Sequence, residues 1–275
     1  MKPAFERILL ATEHTEFDVG AERVAFALSK HCGLPLDGVF PMRSNPEYEI
    51  EAPQLVVKAE REAAAKIAQI CAAAESQGVE LNVSARRGEM RYREVVEEAT
   101  RLHSDIIVVR RRGKRGFLAQ LMIGEMVSKI VGHAPCSVLT VPRAAQMWQR
   151  GILVAVDGAP SAANSVKLAI QIAATCGLPL TVLSVAALDF APQRAEAESI
   201  VAHHLATIQA AGLQGSGMVR TGKAFEQIVQ GAQAAGADLI VVGRQSDGGI
   251  VKAMLGGTAQ KVIGLAEMPV LVVRN

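Results

Sequence analysis

Glycine and hydroxyl residues stand close together at two places in the second half of the chain, with a spacing suited to an anionic ligand. Gly243 precedes Ser246 by two intervening residues, and after nine more residues come Gly256, Gly257 and Thr258. A helix start binds oxyanions because its first backbone N–H groups have no intrahelical acceptor. Any one of these glycines is more simply explained by a tight turn. The two clusters together predict a binding site.

An aspartate at the end of an earlier apolar run could complete this site. Asp157 follows the run 152–156 and precedes a short loop that ends at Ser161. Its carboxylate could accept a hydrogen bond from a ribose hydroxyl or from an exocyclic amine. A loop in which Ser161 only caps the next helix is the alternative, and the residues alone leave both open.

The elements that position these residues follow from hydrophobic periodicity. Short β-branched runs, such as 8–11, 79–83, 106–109 and 138–141, alternate with helical segments such as 19–31 and 92–102. Strands that alternate with helices predict a parallel sheet with helices on both faces, in a doubly wound α/β fold. Ligands of such sheets bind beyond the carboxyl ends of the strands, which directs attention to the loops after Ala155, Val185 and Val242.

The chain contains the same pattern twice. The segment 8–13 matches 152–157, and Cys32-Gly33-Leu34-Pro35-Leu36 matches Cys176-Gly177-Leu178-Pro179-Leu180, both at a displacement of 144. The displacement falls to 132 by Gly124 and Gly256, and most of the extra residues of the first copy lie in 42–53. We therefore predict two domains in tandem, residues 1–145 and 150–275, joined in the stretch 143–150 around the single tryptophan.

Composition excludes several classes of protein. The net charge of +2 and an aromatic content of 4% argue against a surface built for nucleic acid. No apolar stretch reaches the ~18 residues of a membrane span, and the N-terminus has no export signal, so we expect a cytoplasmic protein. The four cysteines are far apart and are expected to be reduced, buried thiols.

Catalytic and metal motifs are also lacking. The histidines are scattered, apart from His203 and His204, which would point about 100° apart on a helix and share no ion. The sequence has no G-x-S-x-G elbow and no Walker P-loop. An adenylating enzyme would carry an S-G-G-x-D-S type loop after its first strand, which Asp157-Gly158-Ala159-Pro160-Ser161 is not. No catalytic residue is predicted, and enzyme activity is left open.

These residues resemble the universal stress proteins, in a tandem two-domain form with two flavodoxin-like, HUP-type doubly wound domains. The resemblance covers almost the whole chain. Members that bind ATP have an aspartate after strand one, then Gly, two residues, Gly, nine residues, Gly and Ser or Thr after strand four. The resemblance implies a nucleotide-binding set in the second domain, with Mg²⁺ only as a companion of the nucleotide: Ala155, Asp157, Val185, Gly243, Ser246, Gly256, Gly257 and Thr258.

Two identities depart from the family pattern. Ser246 replaces a glycine and serves only if its backbone angles suit a residue with a Cβ. Gly257 replaces the hydroxyl residue, and Thr258 supplies an oxygen from another direction around the helix start. Ala155 and Val185 fall where the family's adenine lies against the sheet edge. ATP, or another adenine nucleotide, is the expected ligand.

The first copy departs further from the pattern. Glu13 replaces the aspartate, His14 a glycine and Arg110 the counterpart of Gly243, while Glu125 stands where Ser or Thr belongs. A carboxylate at a helix start competes with a phosphate for the same N–H groups. The residues Arg110, Arg111, Arg112, Lys114 and Arg115 form a basic cluster that we interpret as a solvated loop rather than a nucleic-acid site.

The expected function is that of a stress-response regulator whose second domain binds an adenine nucleotide and whose conformation then alters the surface offered to a regulatory protein. In the family the last strands of two subunits pair, so the two domains of a tandem chain could form an intrachain pseudo-dimer, with further homodimerisation left open. The alternative is a nucleotide-free interaction scaffold of the same fold.

Overall fold

The computed structural model describes residues 4–111, 124–244 and 255–274, with the side chains of residues 46–48 left aside. The described chain forms two compact units that divide between Met147 and Trp148. We call them the first unit and the second unit. Their elements are numbered through the whole chain below.

The first unit is a parallel sheet with its strands in the order β3-β2-β1-β4-β5. The described strands are β1 Ile8–Ala11, β2 Leu36–Arg43, β3 Leu81–Gly88, β4 Ile106–Arg110 and β5 Ser137–Val141. The described helices are α1 Val19–Cys32, α2 Pro46–Glu51, α3 Pro53–Ser76, α4 Arg91–Arg101 and α5 Glu125–His133.

The second unit repeats this topology, with strands in the order β8-β7-β6-β9-β10 and every described pairing parallel. Its strands are β6 Ile152–Ala155, β7 Leu180–Ala186, β8 Gly215–Thr221, β9 Leu239–Gly243 and β10 Val270–Val273. Its described helices are α6 Ala162–Cys176, α7 Ala191–Ala210, α8 Ala224–Ala234 and α9 Gly257–Leu265. The predicted α/β fold with doubly wound parallel sheets is confirmed.

Burial separates the central strands β1 and β6 from the outer strands β3 and β8. All four residues of β1 and three of the four of β6 are buried, as expected for continuous apolar runs covered by helices on both faces. The outer strands β3 and β8 contain no fully buried residue. Their polar residues suit an edge, where one side of the strand meets solvent. The predicted run 79–83 is wrong at its start, because Val79 is buried although it precedes the strand, which begins at Leu81.

The repeated Cys-Gly-Leu-Pro-Leu motif ends a helix in both units. Gly33 follows α1 with φ 64° and Gly177 follows α6 with φ 66°. This left-handed conformation costs a residue with a Cβ free energy that glycine avoids, which makes glycine the usual helix C-cap. The motif then passes through proline into β2 or β7. It is a structural repeat, and none of its residues lines the cleft of the second unit described below.

A second repeat, the aspartate before the fourth strand of each unit, is structural as well. The Asp105 carboxylate accepts backbone N–H groups of Glu6 at 2.8 Å and Arg7 at 2.9 Å. The Asp238 carboxylate accepts those of Gln149 at 2.9 Å and Arg150 at 3.1 Å. Each aspartate thus fixes the entry of the chain into the central strand β1 or β6, and with it the register that places the strand ends.

The four cysteines form no disulfide in the described residues and are only half-buried, so the expectation of buried thiols is wrong in degree. Burial raises the pKa of the Cys71 and Cys176 thiols, which keeps them protonated.

No helix in the described ranges combines the length and apolarity that crossing a bilayer requires.

Candidate functional site

A cleft of about 180 Å³ lies in the second unit where β6, β7 and β9 end. Of the eight residues predicted for nucleotide binding, seven line it: Ala155, Asp157, Val185, Gly243, Gly256, Gly257 and Thr258. The eighth, Ser246, lies outside the described residues. The volume is below the ~300–1,000 Å³ common for small-molecule pockets, so the enclosed part suits a fraction of a nucleotide.

Sheet topology brings these residues together from distant parts of the sequence. The strand order reverses between β6 and β9, and Leu153 of β6 pairs with Ile240 of β9 while Ala155 pairs with Leu183 of β7. The three strands therefore end side by side at one edge. A crevice at such a reversal is the ordinary ligand position in doubly wound sheets.

The start of α9 offers fewer open amides than the sequence predicts. Gly256 is the N-cap residue, and its own N–H donates to the Arg244 carbonyl at 2.9 Å. Its carbonyl accepts the first intrahelical bond, from Gln260, at 2.9 Å. The N–H groups of the first helical turn, on Gly257, Thr258 and Ala259, are the ones that lack an intrahelical acceptor. The interpretation of Gly256 as an amide donor to the ligand is therefore wrong.

Open space lies over that helix start. A Cβ built on Gly257 would meet no atom within 4 Å. Thr258 and Gly257 are exposed, and both line the cleft. A ligand anion placed there would face the positive end of the helix dipole and the open amides of the first turn.

The Asp157 loop, which also lines the cleft, is held by its own carboxylate. Asp157 Oδ1 accepts the N–H of Ala159 at 3.2 Å, and the side chain is exposed. Ser161 is the N-cap residue of α6, yet its hydroxyl makes no capping hydrogen bond. The simple capping role considered for Ser161 is wrong, and its side chain lines the cleft instead.

Two polar lining residues were not predicted from the sequence. Arg244 follows Gly243 directly; burial, and then the nearby Arg274, lower the pKa of its guanidinium. A guanidinium that is partly desolvated and close to another cation gains from a bound anion. Ser165 of α6 is the second, a residue that is 1% exposed. A basic residue at a strand tip could have drawn attention to Arg244, whereas Ser165 gives no motif signal.

The remaining wall is apolar. Leu183, Ile228 and Val242 contribute to it together with Val185 and Ala155. Flat apolar walls beside a few directional polar groups are typical of sites that hold an aromatic base.

The equivalent place in the first unit is occupied by the unit's own side chains. Arg110, the counterpart of Gly243, donates from Nη1 to Thr15 Oγ1 at 2.7 Å and to Asp18 Oδ2 at 2.8 Å, and its Nη2 lies 3.3 Å from Glu13 Oε1. The Asp18 side chain is 1% exposed. A guanidinium thus lies where the second unit keeps open space beside a glycine.

Further contacts within the first unit hold the loop that follows β1. His14 has φ 45°, a region sparsely used by residues other than glycine, and its Nδ1 lies 3.0 Å from Glu22 Oε1. Thr12 Oγ1 donates to the same Glu22 oxygen at 2.7 Å, and Arg91 lies 3.1 Å from Glu13. These contacts give the polar groups of the loop partners within the protein.

The basic cluster is therefore not a uniformly solvated loop. The Arg110 side chain is 14% exposed and ion-paired, which corrects that interpretation for Arg110. Arg112, Lys114 and Arg115 lie outside the described residues. Glu125 begins α5 as predicted, and its carboxylate binds Lys129 at 2.6 Å; this hydrogen bond lowers the pKa of Glu125.

The paired histidines face different surroundings. Their ring centroids are 5.0 Å apart, His204 is buried and His203 is exposed, as expected for neighbours on a helix. Within the described ranges no group of three or more His, Cys, Asp and Glu side chains is arranged to hold a metal ion.

Comparison with known proteins follows the same division of the chain. The Universal stress protein family model matches residues 4–142 and again 149–274. A universal stress protein of Mycobacterium tuberculosis is 28% identical over 176 residues, which cover 58% of this chain and 59% of that protein. The match thus spans less than two thirds of the relative's length.

Solved structures agree on the fold. A universal stress protein from Archaeoglobus fulgidus covers 99% of this chain and 97% of its own, with 18% identity and a TM-score of 0.74. Another from Archaeoglobus fulgidus, determined in complex with dAMP, covers 45% of this chain at 24% identity and a TM-score of 0.39. At 18% identity the first of these likenesses concerns the fold alone, whereas the two family matches span nearly the whole sequence: the chain belongs to the universal stress protein family and carries that family's domain twice.

Proposed function

We propose that the second unit binds ATP or another adenine nucleotide in the cleft between the Asp157 loop and the start of α9. The observation that carries the proposal is the convergence of seven predicted residues from four separate chain segments on one cleft. In this arrangement the base lies against the apolar wall and the phosphates lie over the open amides of Gly257, Thr258 and Ala259. Mg²⁺ enters only with the nucleotide.

Opposite charges at the two ends of the cleft support this orientation. The helix start and the Arg244 guanidinium favour the negative phosphates, while the Asp157 carboxylate would repel them. Asp157 is suited to accept hydrogen bonds from ribose hydroxyls. The dipolar character of the cleft therefore matches a nucleotide, which is anionic at one end and neutral at the other.

The regulatory role follows from the same site. Nucleotide that binds one conformation of the cleft loops more tightly than another shifts their populations and changes the surface presented to a cytoplasmic partner protein. The proposal includes no chemical step, because none of the described lining residues forms a nucleophile and base pair.

Titration calorimetry of the purified full chain with ATP and AMP tests the proposal, after absorbance near 260 nm has established whether nucleotide copurifies. We expect binding to the wild-type chain and roughly tenfold or greater weakening in Asp157→Ala, since a hydrogen bond to a charged acceptor is worth about 1.5–3 kcal/mol. Because the proposed partner of the carboxylate is the ribose, which ATP and AMP share, the affinities for ATP and for AMP should fall by similar factors.

Asp189→Ala is the matched control. Asp189 is a surface carboxylate of the same unit, 76% exposed, and it lies outside the cleft. Its removal should leave the affinity unchanged. Absence of binding to wild type, or equal weakening by both substitutions, contradicts the proposed site.

A nucleotide-free interaction scaffold is the second candidate. It is favoured by the first unit, whose corresponding space is filled by Arg110 and its partners. A wild-type chain that neither carries nor binds an adenine nucleotide is the result that supports the scaffold.

The oligomeric state also belongs to the proposal. If the two domains of one chain serve as each other's partner, light scattering should give the mass of a single chain. A stable dimer would show instead that the chain associates with a second copy.

A further inference from the structure

One polar side chain in the wall of the cleft has no hydrogen-bond partner within the protein. Ser165 is the fourth residue of α6; the residue is 1% exposed, its Oγ is buried, and it lines the cleft. None of the described residues donates to or accepts from its Oγ. Buried hydroxyls are nearly always bonded, so an isolated one calls for a physical explanation.

A hydroxyl inside a helix can usually bond a carbonyl of the preceding turn. Thr100 and Thr175 do so in this chain, donating at 2.8 Å to Val96 O and Gln171 O. Ser165 does not use that bond. Its hydroxyl therefore reduces stability by its burial and receives no compensation from its own helix.

The first unit shows that the fold does not need this hydroxyl. Residue 165 corresponds to Ala21 at the displacement of 144 that holds in the preceding strand and at the end of the helix. Ala21 is fully buried, in the unit whose space beside the strand ends is filled by Arg110. A small side chain is required at this position in both units. The hydroxyl occurs only in the unit that keeps a cleft.

Depth indicates which part of a ligand could reach Ser165. Two of the three open amides at the start of α9 belong to the exposed residues Gly257 and Thr258, whereas Ser165 is buried in a wall that also contains the apolar Val242. Taking a charged phosphate to that depth costs much more than taking in an uncharged base or sugar. The hydroxyl therefore faces the neutral end of a bound nucleotide.

We infer that the Ser165 hydroxyl forms a hydrogen bond to the nucleoside part of the ligand and helps to determine which nucleoside the cleft accepts. The inference rests on the proposed function, since it places Ser165 in the same cleft. It makes Ser165 a specificity-determining residue that the family pattern does not contain.

Calorimetric titration of Ser165→Ala with ATP provides the test. We expect affinity about tenfold weaker than wild type, as for loss of one hydrogen bond. Without nucleotide, the melting temperature of Ser165→Ala should equal or exceed that of wild type, because the substitution removes an unsatisfied hydroxyl and only a small volume. Ser216→Ala is the matched control: its hydroxyl bonds Thr181 at 2.9 Å outside the cleft, and its loss should not change affinity.

Nucleotides that each lack one group then identify the bonded atom. ITP lacks the exocyclic amine, while 2′-deoxy-ATP and 3′-deoxy-ATP each lack a ribose hydroxyl. The analogue that lacks the partner of Ser165 should bind wild type and Ser165→Ala equally, as in a double-mutant cycle.

The outcomes separate the two proposals. If wild type binds ATP and Ser165→Ala binds it equally well, the inference fails and the proposed function stands. A penalty that is the same for all three analogues, but absent with adenosine, assigns the bond to phosphate and also overturns the inference. If wild type binds no nucleotide, the proposed function itself fails.

Discussion

Arg110 and Gly243 hold the same place in the two repeats and give the units different properties. Each ends the fourth strand of its unit, and the next residue in each unit, Arg111 or Arg244, donates its N–H to the last strand at 2.7 Å or 3.0 Å. This backbone hydrogen bond is therefore the same in both units, and the side chain at the strand end determines whether the space beside it is open. A glycine leaves room for a ligand, whereas the arginine brings its own cation to the buried carboxylate of Asp18.

Replacement of Arg110 by methionine tests this exchange of ligand for ion pair. Arg110→Met keeps the aliphatic volume but leaves Asp18 without its cation, so we expect a loss of about 3 kcal/mol in the free energy of unfolding. Urea denaturation at pH 7 measures it. Arg91→Met is the control: it removes a 44% exposed partner of Glu13, for which at most about 1 kcal/mol is expected. Equal losses of unfolding free energy in the two variants would show that the buried Arg110–Asp18 pair contributes no more than the exposed Arg91–Glu13 pair.

At the residue scale, the sequence predicts backbone roles better than side-chain contacts. The spacing of Gly243, Gly256 and Thr258 is a backbone property, and all three residues line the cleft. The bond from the Gly256 N–H to the Arg244 carbonyl depends on how a loop returns to its strand, which spacing does not encode. Ser165 lies between motif residues in the sequence, so only its burial and its lack of a protein partner single it out.

Helix α7 illustrates how an element hides a titratable group. Its buried residues are Ala197, Val201, His204 and Ile208, a spacing of three to four that marks one helical face. Burial, and then the charge of His203, lower the pKa of His204. The unfolded chain therefore takes up a proton on His204 more readily than the folded one, and this uptake favours unfolding.

Stability should consequently depend on pH through this helix. The contribution of neutral His204 is fully present above its ordinary pKa of 6.5 and is lost as the pH falls below that value, with a slope of up to about 1.4 kcal/mol per pH unit. Urea unfolding of wild type and His204→Gln between pH 5 and 7.5 measures it. The variant should lose this part of the slope.

The exposed neighbour serves as control, since His203→Gln should retain most of the slope. Identical pH profiles for wild type and His204→Gln would contradict the assignment.

Among the elements, the central strands were the most predictable. Continuous β-branched runs gave β1 with its bounds unchanged, because a strand buried on both faces has no polar positions to interrupt it. The edge strand β3 alternates polar and partly buried residues and was misplaced. The extra residues of the first unit contain α2 and the start of α3, and their helical structure could not be derived from the repeat, because the second copy has no counterpart.

At the scale of the whole molecule, duplication allows one domain to keep an open cleft while the other fills the corresponding place with internal hydrogen bonds. The sequence predicts this division, because departures from the repeat concentrate at strand ends in the first copy. The two units share strand order and parallel pairing despite these departures. The fold therefore depends on the apolar strands and capping glycines, and the residues of the site can change independently of it.

The difference between the two units predicts which part of the chain a bound nucleotide stabilises. A ligand that binds only the folded second unit stabilises it by RT ln(1 + [L]/Kd), which is about 2.7 kcal/mol at 100 times Kd. Amides that exchange through unfolding of that unit should then exchange roughly 100-fold more slowly with saturating ATP. Hydrogen exchange with mass spectrometry should show the change in peptides from β6 and β9, while β1 and β4 keep their rates. Equal protection in both units would mean that the first unit also responds to nucleotide. This result would contradict the interpretation that Arg110, paired with Asp18, fills the corresponding place in the first unit.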